Sequence, residues 1–408
     1  MPDQLNHRKS GATLRILDGG KPAANRPVKI RQTGHEFLFG VGGFDAVAIM
    51  GDMPDAAHKA FLQERLDRLF SVMNFATLPF YLGRYEPSEG NPDEARTLKA
   101  AEYFCSRGVK VKGHPLVWHT VCADWLMQYS NREILEKLRQ RIEREMIHFK
   151  GLIDIWDVIN EVVIMPVFDK YDNAVTRVCK ELGRVSMVRE VFKTARAANP
   201  SAMLLLNDFD LSDKYVILID GCLQAGIPID VIGIQSHQHQ GYWGADYTRE
   251  ILERYSQFGL PIHFTENTII SGDIMPEHIV DLNDWQVDAW PSTPEGEERQ
   301  AREIAEMYSI LFAHPLVEAI TAWSAVDGGW LKAPGGLLRE DNSVKPVFTE
   351  LEKKIKGEWN TKADLSTGAS GELTIEGFRG SYELECGGKK AAFTLDKKGG
   401  VITVELEK

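Results

Sequence analysis

Two glutamates, Glu161 and Glu266, stand where apolar runs of strand length come to an end. The first run covers residues 153–159, and Asn160 lies beside Glu161 at its end. In a barrel of parallel strands, side chains at the carboxyl ends of the strands face a common mouth. Glycoside hydrolysis requires two carboxyl groups, one that protonates the leaving oxygen and one that attacks or activates water. The two glutamates are therefore predicted to form such a pair across the mouth of a barrel.

Other predicted strands also end in side chains that suit a sugar. From the third strand to the eighth, the ends carry His114, Trp118 and His119; Asn160 and Glu161; Asn207 and Asp208; Gln235 and His237; Glu266; and Trp323 with Trp330. Amides and carboxylates pair with hydroxyl groups, and an indole offers a flat apolar face to a sugar ring. This set of residues predicts a carbohydrate-binding site.

Strand-like and helical segments alternate through the middle of the chain. The predicted strands are 37–43, 71–78, 109–118, 153–162, 202–209, 231–237, 261–267 and 317–325. The predicted helices are 56–70, 94–107, 131–149, 178–198, 212–225, 246–258, 297–313 and 346–356. Eight strands that are each followed by a helix are typical of the (β/α)8 TIM barrel, an α/β fold. The barrel is predicted to span residues 37–357.

The two ends of the chain have the pattern of strands and turns. Residues 1–36 supply too few strands to fold alone, because isolated hairpins are marginal in water. We therefore predict that the strands of 1–36 and 358–408 combine into one small β-sandwich. Only three aromatic residues of its strands are expected to be exposed, Phe378, Tyr382 and Phe393. This small number favours a structural role of the sandwich over glycan binding.

The charge balance argues against several classes of partner. The chain of 408 residues has 47 basic and 59 acidic side chains, a formal net charge of −12. Nucleic acids and anionic membranes are bound by clusters of basic groups, so neither is expected as a partner. A neutral oligosaccharide is compatible with this charge. No cofactor is predicted, and the sequence does not indicate an oligomeric state.

The predicted location follows from the apolar runs and the cysteines. No apolar run reaches the roughly 18 residues of a membrane helix, and the first ten residues are polar. The five cysteines are scattered and form no CxxC pair, which argues against a disulfide framework or a zinc site. The chain as written is expected in the cytoplasm, and a chain from which a signal peptide has been removed would be secreted or periplasmic.

A series of motifs resembles glycoside hydrolase family 10, the xylanase-type barrel, over residues of about 37–357. The motifs are GHPLVWH at 113–119, WDVINE at 156–161, LNDF at 206–209, GIQSH at 233–237 and FTE at 264–266, followed by Trp323 and Trp330. The resemblance implies a retaining double displacement on β-1,4-xylosidic bonds of xylan, xylo-oligosaccharides or a related decorated β-glycan. Glu266 would be the nucleophile and Glu161 the general acid and base, with carboxyl groups about 5–5.5 Å apart.

The resemblance also implies roles for the surrounding residues. Asn160 would hold the 2-hydroxyl of the sugar, and His237 would orient Glu266. The other implied substrate contacts are His114, Trp118 and Gln235 around the sugar next to the cleaved bond, Trp323 and Trp330 as its roof, and Asn207 on the fifth strand.

The segment after the second strand departs from the family pattern. The family has Glu-Asn and then Lys-Trp, which grip the next xylose, where this chain has Thr77, Leu78, Tyr81 and Leu82. A Gln that commonly follows the His-Trp-His motif is Val121 here. Tyr81 and Arg84 are the candidate contacts that remain, although surface salt bridging is the expected role of Arg84 and of Arg339. We expect poor turnover of plain linear xylan and better turnover of short, terminal or decorated substrates.

Two other classes of function stay open. A carbohydrate-binding barrel that has lost catalysis is the first, and the presence of both glutamates argues against it. A metal-dependent sugar isomerase or lyase is the second, with the candidate ligands His114, Glu161, Asp208, His237 and Glu266. The sequence has no His-x-x-x-His pair or acidic cluster of metal-binding spacing that would favour it.

Overall fold

The computed structural model describes residues 2–53 and 55–407, and the chain forms two compact units. The larger unit contains Phe39–Ile310 and Leu316–Val347. The smaller unit contains the two chain ends, up to Leu38 and from Phe348, together with Leu311–Pro315. The predicted domain boundaries after residues 36 and 357 stay predictions.

The strands alternate with helices along most of the chain. The strands are β1 (Lys9–Asp18), β2 (Lys21–Pro22), β3 (Pro27–His35), β4 (Leu38–Gly42), β5 (Phe75–Pro79), β6 (Lys110–His114), β7 (Ile155–Asn160), β8 (Met203–Asp208), β9 (Val231–Gln238), β10 (Ile262–Ile269), β11 (Val317–Ala322), β12 (Lys362–Ser366), β13 (Glu372–Phe378), β14 (Gly380–Cys386), β15 (Lys389–Leu395) and β16 (Gly400–Glu405). The helices are α1 (Phe44–Ile49), α2 (Ala56–Phe70), α3 (Leu82–Tyr85), α4 (Glu94–Cys105), α5 (Asn131–His148), α6 (Ala174–Leu182), α7 (Arg184–Ala198), α8 (Asp213–Gln224), α9 (Gly244–Ser256), α10 (Pro294–Ala313) and α11 (Pro346–Lys353).

The strands from β4 to β11 close into a barrel in chain order. The strand pairs with recorded register inside it are parallel, and every residue of β4 and β10 is buried, as expected of strands covered on both faces. The register brings polar residues level at the mouth, since Asn160 of β7 pairs with Asn207 of β8. The predicted (β/α)8 TIM barrel is confirmed.

One predicted helix is two helices in the structure. The apolar spacing predicted a single helix over 178–198, but α6 ends at Leu182 and α7 begins at Arg184. Gly183 between them has φ 78°, a left-handed conformation that ends a helix and that glycine adopts without a steric penalty. Helix periodicity continues through this position, so the break was visible only as a single glycine.

The smaller unit contains two four-stranded sheets that combine strands from both chain ends. One has the order β13-β1-β16, with β2 attached to β1, and the other has the order β12-β3-β14-β15. Buried apolar residues from both sheets form one core cluster, as predicted for a β-sandwich. The expectation of exposed aromatic side chains was wrong, because Phe378, Tyr382 and Phe393 are all buried. Tyr382 and Phe393 stack with ring centroids 5.0 Å apart, since strand alternation turns both inward.

Within the described residues, none of the helices has the length and apolar character needed to cross a membrane. All five cysteines are free thiols, and Cys179, Cys222 and Cys386 are buried.

Candidate active site

Glu161 follows the end of β7 with a left-handed backbone, φ 59°. This conformation is uncommon for residues other than glycine, and such strain concentrates at functional sites. The Oε2 atom of Glu161 accepts a hydrogen bond from Trp118 Nε1 at 2.8 Å, and Oε1 accepts from Asn160 Nδ2 and Gln235 Nε2, each at 3.2 Å. Burial and the nearby charge of Glu266 raise the pKa of Glu161 to about 8, against the hydrogen bond from Trp118.

Glu266 is buried in β10, where a shift in register with β9 sets it opposite Gln235. Its Oε1 accepts from Asn207 Nδ2 at 2.9 Å, and its Oε2 lies 3.2 Å from His237 Nε2. His114 Nε2 is 3.9 Å from Oε1. Burial alone would raise the pKa of Glu266, but His114 and the hydrogen bond with His237 outweigh it and hold this pKa below its usual value. Near neutral pH, one carboxyl group is therefore protonated while the other is ionised.

Asn207 links the two carboxyl groups through the floor of the site. Its Nδ2 donates to Asn160 Oδ1 at 2.8 Å as well as to Glu266, and its Oδ1 accepts from Thr265 Oγ1 at 2.6 Å. Gln235 Nε2 donates to Asn160 Oδ1 at 3.0 Å. Asn207 is fully buried, and its amide holds the neighbouring side chains in place, while its predicted contact with a substrate stays a prediction.

A buried ion pair lies behind His114, and the sequence reasoning missed both of its residues. Lys112 Nζ lies 2.6 Å from Asp157 Oδ2, and the same oxygen lies 2.7 Å from His114 Nδ1. Because Asp157 engages Nδ1, His114 Nε2 is left to face Glu266 and the mouth. Burial raises the pKa of Asp157, but Lys112 and His114 outweigh burial and lower it. The sequence did contain a signal for this pair, because Lys112 and Asp157 each stand inside a predicted buried strand. A buried charge needs a partner, so two such residues of opposite charge could have been predicted to pair.

Partly exposed aromatic side chains surround the two histidines. Tyr81 lies between His114 and Trp118, with ring centroids 5.6 Å from each. Trp323 lies 5.3 Å from the ring of His114, and Trp330 lies 4.6 Å from the ring of His237. The indoles and the phenol predicted at the strand ends therefore meet around the carboxyl pair and provide apolar faces beside it.

The segment after β5 gives the site a different lining. Thr77 and Leu78 are fully buried, and neither position carries a carboxylate or an amide. Tyr81 is partly exposed and Arg84 is exposed. The segment is held against the loop after β6, because Gly83 N donates to Val121 O at 2.7 Å. A Cβ atom at Gly83 would lie 2.9 Å from that oxygen, which requires glycine at this close approach.

Two further expectations concern charged residues. Arg339 forms the surface ion pair that was expected, with Nε 2.8 Å from Glu297 Oε1. Across residues 2–53 and 55–407, no group of three or more His, Cys, Asp or Glu side chains is arranged to hold a metal ion. The geometry thus adds no support to the metal-dependent alternative.

Comparison with curated proteins finds relatives that align over different shares of the chain. The anti-sigma-I factor RsgI6 of Acetivibrio thermocellus is 25% identical over 424 residues, which cover 99% of this chain and 49% of that protein. The chain thus spans about half the length of this relative. An endo-1,4-beta-xylanase of Geobacillus stearothermophilus is 28% identical over 285 residues, which cover 64% of this chain and 82% of that enzyme.

Solved structures share the fold. Xylanase 10B from Thermotoga petrophila in complex with xylobiose matches with a TM-score of 0.62 and 23% identity, covering 78% of this chain and 95% of that one. Native xylanase 10B from Thermotoga maritima matches with a TM-score of 0.62 and 24% identity, covering 79% and 96%. The sequence profile described as Glycosyl hydrolase family 10 matches residues 81–353, well over half of the chain. The chain belongs to glycosyl hydrolase family 10.

Proposed function

We propose that this protein is a retaining glycoside hydrolase that cleaves β-1,4-xylosidic bonds in xylan, xylo-oligosaccharides or a related decorated β-glycan. The observation that carries the proposal is the hydrogen-bonded chain from Glu161 through Asn160 and Asn207 to Glu266, which sets both carboxyl groups in one site. The pKa of Glu161 is raised to about 8 in this site, while that of Glu266 is lowered. A retaining hydrolase needs one carboxyl group of each kind in the same site.

In the first step, a carboxylate oxygen of Glu266 attacks the anomeric carbon of the sugar. The bond from that carbon to the glycosidic oxygen breaks, and the proton of Glu161 moves to the departing oxygen. The product of the step is a glycosyl ester of Glu266. Both oxygens of Glu266 have a neighbour that fixes them, Asn207 on one side and His237 on the other. Because the nucleophile is already held in place, the entropic cost of the attack is smaller.

In the second step, the Glu161 carboxylate takes a proton from a water molecule. The water oxygen attacks the anomeric carbon, and the ester bond to Glu266 breaks. Two inversions leave the product with the configuration of the substrate. Glu161 keeps part of its surface exposed, which lets water reach it, whereas Glu266 is buried.

Asn160 is proposed to hold the 2-hydroxyl of the bound sugar. Its Nδ2 contacts Glu161 at 3.2 Å, and its Oδ1 is held by Asn207 and Gln235, so the orientation of the amide is fixed. The remaining proposed contacts are His114, Trp118, Gln235 and His237 around the sugar, Trp323 and Trp330 above it, and Tyr81 with Arg84 toward the next position.

The choice of substrate rests on two observations. Relatives that are named xylanases share the family, which supports a β-1,4-linked xylose backbone. The segment after β5 has Thr77, Leu78, Tyr81 and Leu82 where the family pattern has the residues that grip the next xylose. We therefore propose that short, chain-end or decorated substrates are turned over better than plain linear xylan.

Product analysis on defined linear and decorated xylo-oligosaccharides tests the proposal. Proton NMR during the first turnovers should show the β-anomer of the new reducing end before it equilibrates. Release of the α-anomer first would contradict the double displacement. Binding of these sugars without any cleavage would instead favour the carbohydrate-binding barrel, and activity abolished by a chelator would favour the metal-dependent class.

A further inference from the structure

The loop that follows β10 is far longer than the roughly 2–6 residues that usually join a strand to a helix in this class of fold. It runs over residues 270–293, between the end of β10 at Ile269 and the start of α10 at Pro294. Ile270, Met275 and Trp290 form a small apolar cluster with Ala333, so the loop has a core of its own. Segments of this length at the mouth of a barrel usually serve function.

This loop contacts the connection that follows the neighbouring strand β9. Near its start, Met275 N donates to His239 O at 2.9 Å, and Gln240 Nε2 donates to Pro276 O and Ile279 O at 3.0 and 2.8 Å. His239 and Gln240 belong to the loop after β9. The loop after β10 therefore packs on the loop after β9.

At its far point the loop reaches the segment that follows Glu161. Lys170 Nζ lies 2.6 Å from Asp281 Oδ2 and 2.7 Å from Asp284 Oδ1. Lys170 is part of residues 161–173, the connection between β7 and α6. One lysine thus joins the connections after the two strands that carry Glu161 and Glu266, across the ends of β8 and β9 that lie between those strands.

Aromatic contacts tie the segment that carries Lys170 to the loop after β6. Phe168 in the same connection packs on His119 with ring centroids 4.6 Å apart, and on Tyr171 at 4.8 Å. The segment that carries Lys170, which begins at Glu161 in the chain, is thus anchored on the loop after β6.

We propose that the Lys170 bridge to Asp281 and Asp284 closes the leaving-group side of the mouth, so that the enzyme takes short oligosaccharides or chain ends and excludes the inner segments of a polymer. This inference rests on the proposed hydrolase function, because the leaving-group side is defined by the acid Glu161. A closed mouth leaves no exit for a long chain beyond the departing sugar. Lys170 and its two partners then determine substrate length, and they take no part in the chemistry.

The bridge is weak enough to be opened by substitution or by salt. The side chains of Lys170, Asp281 and Asp284 are 40%, 34% and 62% exposed. Exposed ion pairs contribute little individually and are screened by salt, with a Debye length of about 10 Å at 0.1 M. Opening the mouth therefore changes which substrate enters, while the catalytic residues keep their contacts.

The test compares kcat/KM for linear xylohexaose and xylotriose in the wild type and in Lys170→Met. In Lys170→Met, we expect kcat/KM for xylohexaose divided by kcat/KM for xylotriose to rise roughly three- to fivefold. This is the size of effect that the free energy of an exposed ion pair supports. Lys170→Arg should keep the wild-type ratio, and Lys170→Glu combined with Asp281→Lys should restore it. Arg249→Met is the matched control, because it removes an exposed ion pair to Asp246 on the surface of α9.

Two results would overturn the proposal. One is an unchanged ratio in Lys170→Met, and the other is a wild type that already cleaves polymeric xylan internally. Hydrogen exchange over residues 275–288 gives an answer without any substrate. Exchange there should be faster in Lys170→Met and in high salt, and unchanged in Arg249→Met. A wild type that cleaves no xylo-oligosaccharide would contradict the hydrolase proposal alone. Hydrogen exchange that is the same in Lys170→Met as in the wild type would contradict the proposed bridge, whatever the activity.

Discussion

The two sides of the barrel mouth are lined by different kinds of side chain. On the side of β7 to β10, the floor holds a connected chain of polar side chains that runs from Asn160 through Asn207 to Glu266. On the side of β5 and α3, Thr77 and Leu78 are buried and Tyr81 contributes a ring. A connected polar network fixes geometry, whereas an aromatic face tolerates several ligands.

This difference separates chemistry from recognition. The chemistry requires two carboxyl groups in opposite protonation states, and that depends on burial and on neighbours within a few ångström. Recognition of the next sugar requires only partners for its hydroxyl groups or an apolar face. Each such contact contributes modestly to the free energy of binding. A family member can therefore change one side of the mouth and keep the other. The following variants test this separation.

The largest effect is expected from the carboxyl pair. Glu266→Gln removes the nucleophile and should lower kcat by more than about 10⁴-fold on every substrate. Glu161→Gln should cost about 10²–10⁴-fold on natural glycosides, and far less on an aryl glycoside whose leaving group needs no proton. Steady-state kinetics on both kinds of substrate measure the two effects.

Glu102→Gln, on the exposed face of α4, is the matched control and should leave kcat unchanged. Equal losses on natural and aryl substrates in Glu161→Gln would contradict its role as the acid.

The pH profile should be bell-shaped, with limbs that belong to different glutamates. Glu161 must be protonated, so activity is present below its pKa of about 8 and is lost as the pH rises through that value. Glu266 must be ionised, and its lowered pKa places the acid limb below the usual range of a glutamate. Initial rates of wild type and Glu161→Gln check this, because the variant should lose the basic limb. A complete bell in the variant would assign the acid to another residue.

An intermediate effect is expected at Asn207. Asn207→Ala leaves the buried Oε1 of Glu266 without its donor, at about 1–3 kcal/mol, and leaves Asn160 Oδ1 held by Gln235 alone, so kcat should fall roughly 10- to 100-fold. Asn207→Asp sets a carboxylate beside Glu266, which should raise the pKa of Glu266 and move the acid limb to higher pH. If both variants kept the wild-type pH profile, Asn207 would be only a packing residue.

The smallest effect is expected on the other side of the mouth. Tyr81→Ala removes an aromatic face worth about 0.5–1.5 kcal/mol, so kcat/KM on xylo-oligosaccharides should fall roughly three- to tenfold. The kcat on a small aryl xyloside should stay constant, because the carboxyl network does not include Tyr81. Tyr81→Phe keeps the ring and should behave as wild type. A large loss of kcat in Tyr81→Ala would mean that the two sides of the mouth are not separable.

Much of the fold could be predicted because its signals are local. Alternating apolar segments defined eight strands and their helices, and each predicted strand overlaps the one observed. The polar residues Glu161, Asn207, Gln235 and Glu266 were identified because they stand at strand ends, where parallel topology alone brings side chains together. The break at Gly183 was missed, since one glycine does not interrupt the apolar period.

The protonation of the site and the closing of its mouth depend on tertiary contacts. The sequence by itself determined which groups reach the mouth, because strand order and side-chain alternation follow from local pattern. Only the tertiary structure decided that His114 and His237 hold the pKa of Glu266 below its usual value, that Asp157 forms an ion pair with Lys112, and that Lys170 reaches Asp281. The physical reason is that electrostatic energies depend on distance and desolvation between residues far apart in the chain, which no local pattern encodes.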